Sequence, residues 1–254
     1  MTLKVGYLGP EDLLVAVDYG KVNEGITPIE NSIEGTVGVV SDMLVRDVNL
    51  KIREEVVLPV YHYLITRKGV RLKDVTDIIS HPQALDQCKG WLRKNLPKAQ
   101  LHLSYSTADA VRQVALGKET ELPVLGTGRK RVFAAIGPKA SAKLYGLRIV
   151  AEKINDYKDN LTRFIVVSKR DHTRTGDDKT SIVFSLAKDR PGGLYNVLGE
   201  FAIRYINLTK IESRPSKRAL GDYYFFVDMQ GHRIDKAVKE ALDDIKRKAP
   251  FMKI

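Results

Sequence analysis

In Asn160-Leu161-Thr162-Arg163-Phe164 a hydroxyl and a guanidinium sit side by side at the entry to an apolar run, Phe164-Ile165-Val166-Val167. A guanidinium can grip a carboxylate through two parallel hydrogen bonds, with more geometric control than an ammonium. A threonine hydroxyl is a poor acid, but it can donate a hydrogen bond to a departing oxygen. Three further polar pairs, Asn31-Ser32, Ser80-His81 and Ser106-Thr107, fall where a strand-like stretch gives way to a helix-like one. Such junctions offer unpaired backbone N–H groups and the positive end of a helix dipole, a setting that suits an anion. Asn31 with Glu34, and Ser106 with Asp109, have the three-residue spacing of a helix cap. Caps usually do no more than end helices. Several of them facing one cleft is the arrangement of a doubly wound sheet at its switch point. His81 reads as a capping residue in preference to a titrating one. The chemistry these residues suit is the binding of a small carboxylate and the easing of an oxygen's departure.

Other chemistries lack their residues. No His, Cys, Asp and Glu cluster has metal-ligand spacing, so no metal and no other cofactor is expected. Gly126-Thr127-Gly128 lacks the third glycine of a dinucleotide fingerprint, and there is no phosphate-binding glycine loop. No nucleophile-elbow pattern supports a serine hydrolase.

The elements that must position these groups alternate in type over the first two-thirds of the chain, which predicts an α/β layer fold. Lys4 to Leu8 reads as a strand ending at Gly9-Pro10, and Leu13, Leu14 and Val17 follow at helical spacing. Val75 to Ile79 predicts a strand running into Ser80-His81-Pro82, with one helix beyond it carrying Leu85, Cys88 and Leu92. Leu101 to Tyr105 alternates like a strand. Val132 to Ile136 predicts another, followed by a helix from Gly137-Pro138 to Gly146. Lys169 to Asp178 has almost no apolar content and reads as a linker. Beyond it the pattern gives a strand (181–186), a turn at Asp189-Arg190-Pro191-Gly192-Gly193, a helix (194–205) and a strand (208–213). A strand at 223–229, a helix at 234–248 and the start of a last strand at Phe251 complete it. The order β-α-β-β-α-β is that of a ferredoxin-like fold.

Composition describes a globular chain: 254 residues, 43% hydrophobic and 29% charged. No apolar run is long enough to span a bilayer, and the opening residues do not read as a signal peptide. A single cysteine, Cys88, excludes an internal disulfide and fits a reducing cytoplasm. The net charge of +11 is spread along the chain, with +6 in residues 179–254 and +5 before them. A nucleic-acid binder would concentrate it in a stripe, and Arg129-Lys130-Arg131 is the nearest thing to one. A diffuse positive field suits attraction of a small dianion.

Four runs in order, Pro28-Ile29-Glu30-Asn31-Ser32-Ile33-Glu34-Gly35, Ser80-His81-Pro82-Gln83, Asn160 to Phe164 and Glu212-Ser213-Arg214-Pro215, resemble prephenate dehydratase over nearly the whole chain. Ala134 to Gly137, Asp156 to Phe164 and Gly193-Leu194 extend the match. The resemblance implies a two-lobed, periplasmic-binding-protein-like catalytic domain over 1–168, a linker over 169–178 and an ACT regulatory domain over 179–254. It implies a cofactor-free lyase that takes prephenate to phenylpyruvate. In that reading Thr162 polarises the departing hydroxyl and Arg163 binds or supports a carboxylate. Asn31, Ser32, Ser80, His81, Gln83, Ser106, Thr107 and Phe164 line the cleft. Gly193, Leu194, Glu212, Ser213, Arg214 and Pro215 receive the effector phenylalanine between subunits of a dimer or tetramer. Arogenate, the amino analogue, is the alternative substrate, and a phenylalanine or aromatic-acid sensor without catalysis is the alternative function. The chain departs from the family where Gly9-Pro10-Glu11 passes directly into a helical run. There the family has Gly-Pro-x-Gly-Thr-Phe-Ser, a helix and a strand. It also stops at Ile254, within the family's last strand.

Overall fold

The structure is a computed structural model and describes residues 9–117, 131–187, 190–219 and 221–254. The strand expected over Lys4 to Leu8, Gly126-Thr127-Gly128, Arg129, Lys130 and Asp189 lie outside these residues. In chain order the first elements are α1 (Pro10–Asp18), β1 (Glu24–Asn31), β2 (Gly35–Thr36), α2 (Gly38–Arg46), β3 (Lys51–Pro59) and β4 (Tyr63–Thr66). Next come β5 (Asp77–Ser80), α3 (Pro82–Asp86), α4 (Lys89–Asn95), β6 (Gln100–Leu103), α5 (Thr107–Leu116), β7 (Phe133–Gly137), α6 (Lys139–Leu144) and β8 (Arg148–Ala151). The rest are β9 (Leu161–Ser168), β10 (Lys179–Ser185), α7 (Gly193–Ala202), β11 (Leu208–Pro215), β12 (Tyr223–Gln230), α8 (Lys236–Lys248) and β13 (Phe251–Lys253). The chain divides into two compact units, one of residues up to Glu30, 36–56 and 163–254, the other of 31–35 and 57–162.

The second unit is built on a five-stranded sheet of order β6-β5-β7-β4-β8, with β6, β5 and β7 parallel and β4 antiparallel to β7 and β8. Alternate residues of its central strands feed two cores. Leu64, Ile78, Ala134 and Ile136 pack with Leu85, Cys88 and Leu92 of the α3–α4 side. Tyr63, Ile65, Ile79, Phe133 and Ala135 pack with Ala110, Val111 and Val114 of α5 and Ala142 of α6. Burial on both faces explains why these strands read as unbroken apolar runs. At the end of β7 a Cβ on Gly137 would lie 2.5 Å from Val111 Cγ2 and 3.1 Å from the Thr107 carbonyl, so α5 packs this closely only over glycine.

The spacing of Leu85, Cys88 and Leu92 predicts one helix, and the structure breaks it between α3 and α4. The cause is distant in sequence. The Asp156 carboxylate accepts from the backbone N–H groups of Gly90 (2.7 Å) and Trp91 (2.8 Å), and its own N–H donates to the Gln87 carbonyl. Asp156 thereby starts a new helix by satisfying its free donors.

In the first unit α1 begins at Pro10 directly after Gly9, with proline at the helix start. It packs with α2 over the sheet of order β2-β1-β9-β3, through Leu14, Val17, Val40, Ile29, Leu50, Ile165 and Val167. The same unit contains the ferredoxin-like module. Its antiparallel sheet has the order β11-β12-β10-β13, and one face is covered by α7 and α8. Val238, Ala241, Leu242 and Ile245 of α8 recur at helical spacing and are buried. Each large aliphatic among them contributes roughly 1.5–3 kcal/mol by leaving water. The sheet's other face sets Val183, Tyr224, Phe226 and Phe251 against Val45 of α2.

Residues 169–178, expected as a linker, form neither helix nor strand but are tied down. Asp178 accepts from Thr175 N (2.9 Å), Thr175 Oγ1 (2.7 Å) and Gly176 N (2.9 Å), and these bonds hold its carboxyl well below the usual range. Arg174 pairs with Asp235 at 2.8 Å and Arg233 with Asp171 at 2.5 Å. Among the described residues no helix is long and apolar enough to cross a membrane.

Candidate active site

β5, β6 and β7 of the second unit run parallel, and residues expected to line the cleft follow β5 and β6. His81 caps α3 through its ring Nδ1, which accepts from Gln83 N at 3.3 Å. Ser106 caps α5 by accepting from Asp109 N at 3.0 Å. The strand ends are joined where Ser104 N donates to the Ser80 carbonyl at 2.9 Å. Ser80 itself is fully buried, and its hydroxyl donates to the Ile136 carbonyl at 2.7 Å, so it serves the sheet. Gln83 and Ser106 are exposed, with His81 and Thr107 partly so.

Asn31 was expected to cap a helix. It caps a turn instead, its Oδ1 accepting from Ile33 N (3.0 Å) and Glu34 N (3.1 Å), while the next helix, α2, begins at Gly38. Asparagine stabilises turns by this same local bond, so the spacing alone did not separate the two outcomes. The turn leaves the Asn31 amide nitrogen free to reach across to β9. Nδ2 donates to Asn160 Oδ1 at 2.7 Å, Thr162 Oγ1 at 2.9 Å and the Leu161 carbonyl at 3.2 Å. Ser32 secures the same junction. Its N–H donates to the Leu161 carbonyl (2.8 Å), while its hydroxyl accepts from Leu161 N (2.9 Å) and donates to the Asp159 carbonyl (3.2 Å). Thr162 Oγ1 thus receives a hydrogen bond on one lone pair, and its own hydrogen remains available to donate.

Behind this pair lies a buried polar chain that sequence spacing did not reveal. Asn160 Nδ2 donates to Gln87 Oε1 at 3.0 Å, and His62 Nε2 shares that acceptor at 2.9 Å. Gln87 Nε2 donates in turn to Glu34 Oε1 at 3.0 Å. His62 Nε2 must carry the hydrogen, because Gln87 Oε1 can only accept. Burial pushes the His62 pKa down, against an upward pull from the Gln87 bond, so the ring is held neutral. Gln87 sits one helical turn after Gln83, and that spacing was the available signal. Among the described residues no three His, Cys, Asp or Glu side chains converge as metal ligands. Cys88, beside this chain, is buried with its thiol pushed up to about 12 by burial and then by the Asp156 charge.

Arg163 and Phe164 belong to the other unit, as do all six residues expected at the effector site. Successive strand side chains alternate in direction, so Arg163 leaves β9 on the face opposite Thr162. The fork expected to hold a substrate carboxylate is filled by the protein's own. Nη2 donates to Asp228 Oδ2 at 2.6 Å and Nη1 to Glu55 Oε2 at 3.3 Å, while Nε lies 3.5 Å from Glu30 Oε2. Burial works against the Arg163 charge, but Asp228, Glu30 and Glu55 outweigh it and raise its pKa. Phe164 is half-buried.

Gly193 begins α7 and is buried, and Leu194 packs on the module's core. On β11 the side chains alternate. Glu212 and Arg214 face inward, and Ser213 and Pro215 are exposed. Glu212 accepts from Thr36 Oγ1 at 2.5 Å and pairs with Lys210 and Arg214; these bonds lower its pKa although burial acts the other way. Arg214 Nε donates to Asp42 Oδ1 at 3.3 Å.

The chain is similar to known proteins over most of its length. The prephenate dehydratase family profile matches residues 4–172, and the ACT domain profile matches residues 180–247. The bifunctional chorismate mutase/prephenate dehydratase of Aquifex aeolicus is 41% identical over 96% of the chain, which spans 63% of that protein's length. The prephenate dehydratase of Methanocaldococcus jannaschii is also 41% identical, over 91% of this chain and 79% of its own. The crystal structure of prephenate dehydratase in complex with L-Phe from Arthrobacter aurescens superposes with a TM-score of 0.82 at 37% identity. That match covers 94% of this chain and 76% of the other. The chain belongs to the prephenate dehydratase family and carries an ACT domain.

Proposed function

We propose that this chain converts prephenate to phenylpyruvate, with Thr162 as the hydrogen-bond donor to the departing oxygen. The observation that carries the reading is the bond from Asn31 Nδ2 to Thr162 Oγ1, which orients the hydroxyl and leaves its hydrogen to donate. The reaction needs little more. The carbon–carbon bond to the ring carboxylate breaks and releases carbon dioxide. Its electrons enter the ring, which becomes aromatic as the carbon–oxygen bond at the opposite carbon breaks. The hydroxide leaves with a proton as water. A driving force of this kind asks the protein for orientation and for stabilisation of charge on the leaving oxygen. Asn31, Ser32 and the neutral amide chain through Asn160 and Gln87 supply the rigid support. The exposed caps around His81, Gln83, Ser106 and Thr107 offer N–H donors to the substrate's carboxylates. Arg163 acts from behind the strand, as its engagement with three carboxylates directs.

The ACT module is proposed to take phenylalanine as effector, which the complex of the Arthrobacter relative supports. Residues 1–168, 169–178 and 179–254 are read as catalytic part, linker and sensor, and self-association is placed on the sensor, where Ile203, Tyr205 and Ile211 are exposed. A reducing, cytoplasmic setting fits the single buried thiol of Cys88. The test is Thr162→Ala: turnover of prephenate should fall by roughly 100-fold or more, the scale of one lost transition-state donor. Phenylalanine binding, measured by calorimetry, should persist. Equal loss of both would contradict the assignment.

A further inference from the structure

Arg163 is the residue by which β9 enters the first unit, directly after Thr162, and it is held there by an ion-pair network with one continuous path. Asp228 on β12 takes its shortest bond, 2.6 Å. Asp228 stands opposite Lys210 in the β11–β12 pairing. Lys210 Nζ donates to Thr36 Oγ1 at 2.9 Å and lies 3.4 Å from both Glu30 Oε2 and Glu212 Oε2. Glu30 closes the loop on Arg163. Glu212 belongs to the Glu212–Pro215 run, so the strand expected to sense phenylalanine and the residue after Thr162 share one set of charges. Three side chains of the path are largely out of water, Arg163 at 18% exposed, Lys210 at 13% and Asp228 at 9%, while Glu30 keeps 35%. Removing one partner of a pair so shielded leaves a buried charge unmatched.

We propose that Asp228 is a positioning residue for Thr162 that acts through Arg163, and that this pair passes the state of β11 and β12 to the reaction site. The proposal rests on the reading of Thr162 as the donor to the leaving oxygen. A guanidinium gripped at three points fixes the backbone of residue 163, and the direction of the preceding Thr162 hydroxyl follows from that backbone. A shift of β12 against β11 on effector binding moves Asp228 and so changes how Thr162 is presented. Lys179 pairs with Glu55, one step removed from Arg163, and serves as the comparison.

The experiment compares Asp228→Asn, Asp228→Glu and Lys179→Ala in the full chain. Two readouts are taken: prephenate turnover with and without phenylalanine, and backbone amide exchange over residues 161–164 by mass spectrometry. In Asp228→Asn, exchange over 161–164 should rise about tenfold. There kcat per folded molecule should drop about tenfold with KM within about twofold of the parent, and phenylalanine should no longer alter either quantity. Asp228→Glu should recover most of the loss, and Lys179→Ala should match the parent. Unchanged exchange over 161–164 overturns the proposal, as does a lowered melting temperature with unchanged kcat and an intact phenylalanine response. If the parent chain does not turn over prephenate, the functional reading fails, and exchange alone decides the positional one. If Asp228→Asn does not fold, Arg163→Lys carries the same expectations, because it keeps the charge and loses the fork.

Discussion

Asn31 Nδ2 lies 2.9 Å from Thr162 Oγ1, a bond made across 131 positions of sequence by a residue that also closes its own turn through Oδ1. The two ends of one amide therefore hold the turn and aim the hydroxyl. Asn31→Ala should lower kcat by about 10- to 100-fold, the equivalent of ~1.4–2.8 kcal/mol of barrier, with little change in KM. Asn31→Asp should also impair turnover, because a carboxylate can only accept and would compete for the Thr162 hydrogen. Steady-state kinetics on both variants checks this, and an Asn31→Asp enzyme at parental rate would contradict it.

Asn160 is 1% exposed, and its amide is bonded on both sides, to Asn31 and Gln87. Asn160→Leu should cost roughly 1–3 kcal/mol for each buried partner left without a bond. Chemical denaturation should show a lower midpoint at unchanged slope.

His62 gives the fold a pH dependence with a definite sign. Its folded-state pKa is lowered from 6.5 by burial, so below pH 6.5 the unfolded chain takes up a proton that the folded chain resists. Stability from this residue is present above pH 6.5 and is lost as the pH falls below it. His62→Gln, which can still donate to Gln87 Oε1, should flatten the stability curve below about pH 6.5 relative to the parent. Parallel curves for the two proteins would show that His62 does not titrate in this way.

Glu212 and Arg214 face into the first unit, on Thr36 and Asp42, while Ser213 faces out. Glu212→Ala and Ser213→Ala should both blunt the response to phenylalanine and spare the basal rate. Gly38 offers a finer probe, since a Cβ there would lie 2.5 Å from the Arg214 guanidinium. Gly38→Ala should push Arg214 off Asp42 and weaken the response with no substitution in the Glu212–Pro215 run itself, readable as a raised phenylalanine concentration for half effect.

What the sequence made legible was local. The alternation of β11, the helical spacing of Val238, Ala241, Leu242 and Ile245, and the caps at His81 and Ser106 each depend on neighbours within a turn or two. What escaped was set by residues far along the chain. Asp156 splits the helix expected through Cys88, and Asn160 and His62 recruit Gln87. The fork of Arg163 is filled from Glu30, Glu55 and Asp228, none of which stands near it in sequence. Residue type identified Thr162 and Arg163 as worth attention, but the direction in which each points is a property of β9 and its surroundings.

The most direct test of the account is the rate of phenylpyruvate formation from prephenate by the purified chain, with and without phenylalanine. The account predicts turnover that phenylalanine alters and that Thr162→Ala reduces by about 100-fold. Absence of turnover in a folded chain that still binds phenylalanine would contradict it.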